Sequence, residues 1–218
     1  MQSSVEVAAP LTLAFIAHHT SAPPALAPCL GGMRGGADGV GRTRDRLAGR
    51  VAARLAVARA AGVPDGERIV LRPRRNMSPA VFLAGVRGTL RELPVAISIT
   101  HSAGRAAAAA AHRSIRFAVD LERCGTVKGC QLRYFLTPVE RRNGARHSPT
   151  TLWVLKEAAW KALGCDARTP FSAVALCFDP GGRVTAVSLE GRTIGVRSSL
   201  LSPWPGFICA VITVEDSR

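Results

Sequence analysis

The sequence predicts a mixed α/β fold of the α+β kind, and three features carry that expectation. Two stretches, Thr43 to Ala61 and Thr151 to Gly164, repeat apolar residues at helical spacing. Between them lie β-branched runs bounded by Pro or Gly, such as the one that follows Pro94 and ends at Gly104. From Phe171 to Val214 strand-like runs alternate with turns at Asp179-Pro-Gly-Gly and Glu190-Gly, the pattern of antiparallel β-structure.

Composition bounds the rest. A chain of 218 residues, 47% hydrophobic and 20% charged, can bury the core of one ordinary domain or of two small halves packed together, and is too apolar for disorder. No run of about 18 apolar residues marks a membrane span. The apolar patch from Pro10 to Ala17 has no basic segment before it and is short for a signal peptide, so it reads as a strand in a soluble, cytoplasmic protein. Six cysteines occur without a Cys-x-x-Cys pair, and Cys124 and Cys130 have no His partner at zinc spacing, so free thiols are expected. The net charge is +14, with 13 Arg against 6 acids in residues 1–100 and 16 Lys+Arg against 9 in the remainder. An anionic partner is implied. Nucleic acid, a phosphorylated cofactor and an acidic protein all meet that requirement, and charge alone does not choose among them.

Taken in order, the first thirty residues read as a strand and then an irregular connection through Gly31-Gly32 and Gly35-Gly36. In the first helical stretch Leu47, Val51, Leu55 and Ala58 form an apolar stripe beside a basic stripe of Arg46, Arg50 and Arg54, and Gly62 with Pro64 ends the helix. The basic stripe is either a solvated face or a phosphate-gripping edge. Residues 68–75 read as a short strand running into a basic corner, with Asn76-Met77-Ser78-Pro79 as a turn. His101 then falls at the mouth of a strand, between the hydroxyls of Thr100 and Ser102, where it is either structural or an anion contact. Ala106 to Ala111 favours helix by propensity, but the spacing from His101 to Asp120 leaves room only for a hairpin, so it is assigned as strand.

Ile115 to Glu122 reads as a strand that projects Asp120 and Glu122 from one face. Two carboxylates so placed repel unless a cation or proton sits between them, which makes the pair the strongest metal-ligand signal in the chain; the other reading is an exposed strand with two solvated acids. Further on, Thr137, Pro138 and Glu140 form a capping box, and Ser148 with Pro149 starts the second helix, whose core stripe is Leu152, Leu155, Ala159 and Ala162. Trp153, Glu157 and Lys161 recur every four residues along this helix and so share a face, and Glu157 and Lys161 are left off the core stripe. The chain contains 26 Arg and only 3 Lys, yet Lys156 and Lys161 both sit here, where a movable point charge serves better than a planar fork.

Three motifs now stand in sequence: Ser-Ile-Thr-His-Ser ending a strand, Val-Asp-Leu-Glu on a strand, and Trp-x-x-Lys-Glu-Ala-x-x-Lys-Ala on a helix. Their order and separation resemble the 4'-phosphopantetheinyl transferase superfamily, in particular the longer Sfp-type enzymes that modify carrier proteins of polyketide, nonribosomal peptide and fatty acid synthesis. The likeness runs from about Arg46 to Gly164 and includes Gly49-Arg50-x-Ala-Ala-Arg54-x-Ala and Phe135-Leu-Thr-Pro-x-Glu140. Thr100 stands where Ser is usual, Ala118 where Gly is usual, and Arg72-Pro-Arg-Arg-Asn-Met-Ser-Pro replaces a shorter Gly-Lys-Pro or Gly-Arg-Pro.

The resemblance implies two similar subdomains related by a pseudo-two-fold, each an antiparallel sheet packed against a long helix. They would divide as residues 1–104 and 105–218, with coenzyme A and Mg2+, or Mn2+ in its place, in the cleft between them. It implies Asp120, Glu122 and Glu157 as metal ligands. Arg50, Arg54, Thr100, His101 and Lys156 would serve the phosphates of coenzyme A, and Arg72, Arg75, Ser78 and Pro79 its adenine side. Glu157 would be the base, directly or through a bound water, with Lys161 facing the pyrophosphate or protonating the leaving phosphate. The partner implied is an acidic acyl or peptidyl carrier protein met by a monomer, with no nucleic acid and no membrane. The rival readings are a basic nucleic-acid-binding protein, which the 5% aromatic content and the lack of a stacking platform disfavour, and a degenerate coenzyme A-binding homologue.

Overall fold

The computed structural model describes residues 6–7, 11–17, 37–63, 68–74 and 77–215. The irregular connection expected before residue 37, Pro64, and Arg75 with Asn76 lie outside the described residues. The elements are β1 (Glu6–Val7), β2 (Leu11–Ala17), α1 (Ala37–Ala60), β3 (Ile69–Arg74), β4 (Met77–Ala84), β5 (Leu90–Glu92), β6 (Val95–Ser102), β7 (Arg105–His112), β8 (Phe117–Arg123), α2 (Pro138–Asn143), α3 (Pro149–Ala162), β9 (Val174–Phe178), β10 (Val184–Leu189), β11 (Arg192–Leu201) and β12 (Phe207–Val214). All the sheets are antiparallel. They run in the orders β1-β2-β7-β6, β8-β12-β11-β10-β9 and β3-β4-β5.

One connectivity occurs twice. A strand leads into a helix, and the last strand of the unit returns between the first strand and its neighbour, giving β2-β7-β6 in one sheet and β8-β12-β11 in the other. Because β7 pairs with both β2 and β6, a division after Gly104 would cut a hairpin. The sheets part instead between His112 and Phe117.

The layers follow from which face of each strand is buried, and against what. Ala106, Ala108 and Ala110 of β7 pack with Ala14 against Ala48, Ala52, Ala53, Ala56 and Val57 of α1. Ala107, Ala109 and Ala111 point the other way, with Leu11, Leu13 and Phe15, onto Phe117, Val119, Leu121, Cys209 and Val211 of the second sheet. The opposite face of that sheet, with Ala118, Ala210 and Ile212, receives Val154, Leu155, Ala158 and Ala159 of α3. The order is helix, sheet, sheet, helix. β7 is therefore buried on both faces, and its six alanines keep neighbouring layers close; position between two layers decided against the helical propensity of that run.

Two expectations shift. On α1 the buried stripe is Ala48, Ala52, Ala56 and Val57, while Leu47, Val51 and Leu55 are only half-buried at its margin. The helix lies so close to β6 that a Cβ on Gly49 would stand 2.8 Å from Cγ2 of Ile99, and small residues set the contact line in place of the larger ones. Met77, Ser78 and Pro79 belong to β4 and form no turn. Pro79 lies at the register shift of the β3–β4 pair, between Ala80 opposite Arg72 and Met77 opposite Arg74, the kind of irregular position where a strand accommodates proline.

Candidate active site

On β8 the alternation that sends Phe117, Val119 and Leu121 between the sheets sends Ala118, Asp120 and Glu122 toward α3. Facing them on α3 are Glu157 and Lys161, one turn apart. That helix begins at Ser148, whose Oγ accepts from the Thr151 N–H at 3.1 Å, and stops at Gly164, whose φ of 73° is the left-handed conformation that favours glycine. Lys161 Nζ donates to Asp120 Oδ1 at 2.7 Å and lies 2.8 Å from Glu157 Oε1. Asp120 Oδ1 also accepts from the Thr100 hydroxyl at 3.0 Å, whereas Asp120 Oδ2 is buried and has no hydrogen-bond partner. Ser102 Oγ donates to Glu122 Oε2 at 2.6 Å.

The electrostatics reflect this crowding. Burial pushes the Asp120 carboxyl up to about 7; Lys161 opposes the shift and Glu157 adds to it. Glu122 moves up for the same first reason, burial, against the pull of Ser102. For Lys161 burial works against the charged form, but Asp120 and Glu157 outweigh it, and its pKa rises. The ammonium is thus held charged between two carboxylates.

A cleft of about 610 Å3 adjoins this cluster, within the range of small-molecule and cofactor pockets. Its walls come from both halves: Ser78 and Pro79 of β4, Ile97 to Ile99 of β6, Phe117 and Ala118 of β8, Lys161 and Gly164 at the end of α3, and Cys165 to Arg168 beyond it. Lys161 is the link, lining the cleft while gripping Asp120 and Glu157.

Residues 116–212 match the 4'-phosphopantetheinyl transferase superfamily. The search of curated proteins found no match. The matched segment runs from just before β8 into β12 and carries Asp120, Glu122, Glu157 and Lys161, so phosphopantetheine transfer is the general activity it indicates. The hydroxyls of Thr100 and Ser102 reach this matched segment from outside it.

Of the residues expected around the substrate, Ser78, Pro79 and Lys161 line the cleft, and Thr100 is buried against Asp120. Arg50 on α1, Arg72 on β3 and His101 on β6 are exposed and, with the half-buried Arg54, lie off the cleft wall; Arg72 stacks over the Phe82 ring at 5.3 Å. Arg75 falls outside the described residues. Lys156 departs most from expectation. It is fully buried, and its ammonium is spent on Glu140 Oε1 at 2.6 Å and on the Val174 carbonyl, so it meets neither phosphate nor solvent.

Sequence reasoning missed the hydroxyls of Ser98 and Ser102, which hold amides of β8, and the buried role of Glu140. The signal for the first two was present: in the run Ile97 to Ser102 every second residue is a hydroxyl, at a spacing that puts all three on one face. Glu140 was read as a helix cap only. It is that, accepting from the Thr137 N–H at 2.8 Å, but its other oxygen takes Lys156 and the Leu176 N–H.

Among the described residues no three His, Cys, Asp or Glu side chains converge into a ready ligand cage. The donor set nevertheless fits a hard divalent cation. All the donors are carboxylate oxygens, one of them the unpartnered Asp120 Oδ2, and three carboxyls share one ammonium, a crowding that adds to the burial-driven rise of Asp120 and Glu122 and that a divalent cation would relieve.

Proposed function

We propose that the chain transfers 4'-phosphopantetheine from coenzyme A to a serine of an apo acyl or peptidyl carrier protein, releasing adenosine 3',5'-bisphosphate, in a Mg2+-dependent reaction of the Sfp-type enzymes. One observation carries this reading: within the segment that matches the superfamily, Asp120, Glu157 and Lys161 are bonded together at the edge of a cleft walled by both halves.

In this reading Asp120, Glu122 and Glu157 hold Mg2+, which when bound supplies charge neutralisation at the pyrophosphate. Lys161 reaches the same phosphates from the cleft wall. Its pKa is raised by two carboxylates, which favours a fixed positive charge over proton donation. The base is Glu157, because its side chain is 23% exposed against 3% for Asp120, so an incoming serine reaches it without opening the core. Glu157 takes the hydroxyl proton, the serine oxygen bonds to the β-phosphorus, and the bond to the bridging oxygen breaks with its electron pair leaving on adenosine 3',5'-bisphosphate. Most of the catalysis is then positioning and charge stabilisation, as phosphoryl transfer requires. The net charge of +14 suits a polyanionic substrate and an acidic carrier.

The test is incubation with coenzyme A, Mg2+ and each of several apo acyl, peptidyl and aryl carrier proteins, read by mass spectrometry. A phosphopantetheine adduct on at least one carrier is expected. No adduct on any of them overturns the proposal, and steeply salt-dependent binding to arbitrary duplex DNA, indifferent to coenzyme A, would favour the nucleic-acid reading instead.

A further inference from the structure

β8 is the edge strand of its sheet, so the N–H groups of Val119, Leu121 and Arg123 find no strand on their open side. They donate instead to the side chains of β6: Val119 to Ser98 Oγ at 3.1 Å, Leu121 to Thr100 Oγ1 at 3.2 Å, and Arg123 to Ser102 Oγ at 3.4 Å. A hydroxyl that accepts from an amide still has one hydrogen to give. Thr100 gives it to Asp120 Oδ1 and Ser102 to Glu122 Oε2 at 2.6 Å, while Ser98 faces Val119 and meets no carboxylate.

We propose that Ser102, together with Thr100, is a positioning residue: among the described residues, the first half of the chain lends hydroxyls that aim the carboxylates the second half presents. The inference rests on the metal assignment made above and deepens it. Glu122 sits near the end of β8 on a side chain with several free torsions; its carboxylate also meets the Arg123 backbone N–H, and the Ser102 bond at 2.6 Å is the side-chain contact that ties its head to β6. Each hydroxyl is itself oriented by a backbone amide, so the seam between β6 and the open edge of β8 and the direction of the acids on β8 are set by the same row of contacts. Partners behind a ligand fix its orientation, and their loss costs about 10–100-fold in metal affinity. Ser98 is the internal control, because it makes the same amide contact without a carboxylate.

The experiment is Mn2+ binding to the full chain without coenzyme A, read by electron paramagnetic resonance. Ser102→Ala should weaken binding by about tenfold or more. Ser102→Thr should restore it, and in a Glu122→Gln background Ser102→Ala should add nothing. Ser98→Ala should stay close to wild type, with circular dichroism confirming that each variant is folded. Wild-type affinity in Ser102→Ala, or an equal loss in Ser98→Ala, overturns the positioning role while leaving the metal site standing. Failure of the wild-type chain itself to bind Mn2+ overturns the metal assignment and this inference with it.

Discussion

Asp120 concentrates the tension of the site in one side chain. Its folded pKa of about 7 lies above the ordinary 3.8, so between these values the folded chain holds a proton that the unfolded chain has lost. Stability therefore falls as pH rises through that window. The metal-free protein should melt lower at pH 8 than at pH 5, and Asp120→Asn should flatten that dependence and raise the midpoint at pH 8; a pH-independent wild-type midpoint would contradict the buried charge. Lys156 makes the opposite case, a lysine inside the motif whose work is structural. Lys156→Ala strands Glu140 without its cation and should cost about 3–5 kcal/mol in urea unfolding. KM for coenzyme A, measured well below the melting temperature, should be unchanged.

At the scale of elements, much was legible in the sequence because spacing and caps are local properties. The stripe of Leu152, Leu155, Ala159 and Ala162, the Ser148 and Thr137 caps, and the shared face of Asp120 and Glu122 all follow from periodicity and short-range hydrogen bonds. What was not legible depends on neighbours far along the chain. The buried line of α1 is set by its closeness to β6 and β7, the strand at Met77 by the register with β3, and the Lys156–Glu140 pair by a contact between α3 and α2. The alanine run of β7 shows the same dependence and invites a test. Ala108, fully buried on the α1 side, replaced by Leu should overpack that layer and cost about 1–3 kcal/mol in denaturant midpoint analysis. A neutral result would mean that the helix stands off farther than described.

For the whole molecule, the duplicated connectivity explains why the candidate site draws on both halves. Each half contributes a sheet and a helix, the second carries the acids and Lys161, and the first lends hydroxyls and one wall of the cleft. Among the described residues no helix is long and apolar enough to cross a membrane. The large positive charge belongs to this scale as well, since it acts through the summed field more than through any single arginine. Raising ionic strength should therefore increase KM for an acidic carrier protein with much less effect on kcat, as seen in steady-state kinetics across a salt series. The most direct measurement follows carrier mass gain and released adenosine 3',5'-bisphosphate together, for the wild-type chain and for Glu157→Ala, with coenzyme A and Mg2+. Equal amounts of the two products from wild type, on a carrier serine, and a loss of at least about 100-fold in the variant are predicted. Coenzyme A cleaved without carrier gain, or near-wild-type transfer by Glu157→Ala, would contradict the account.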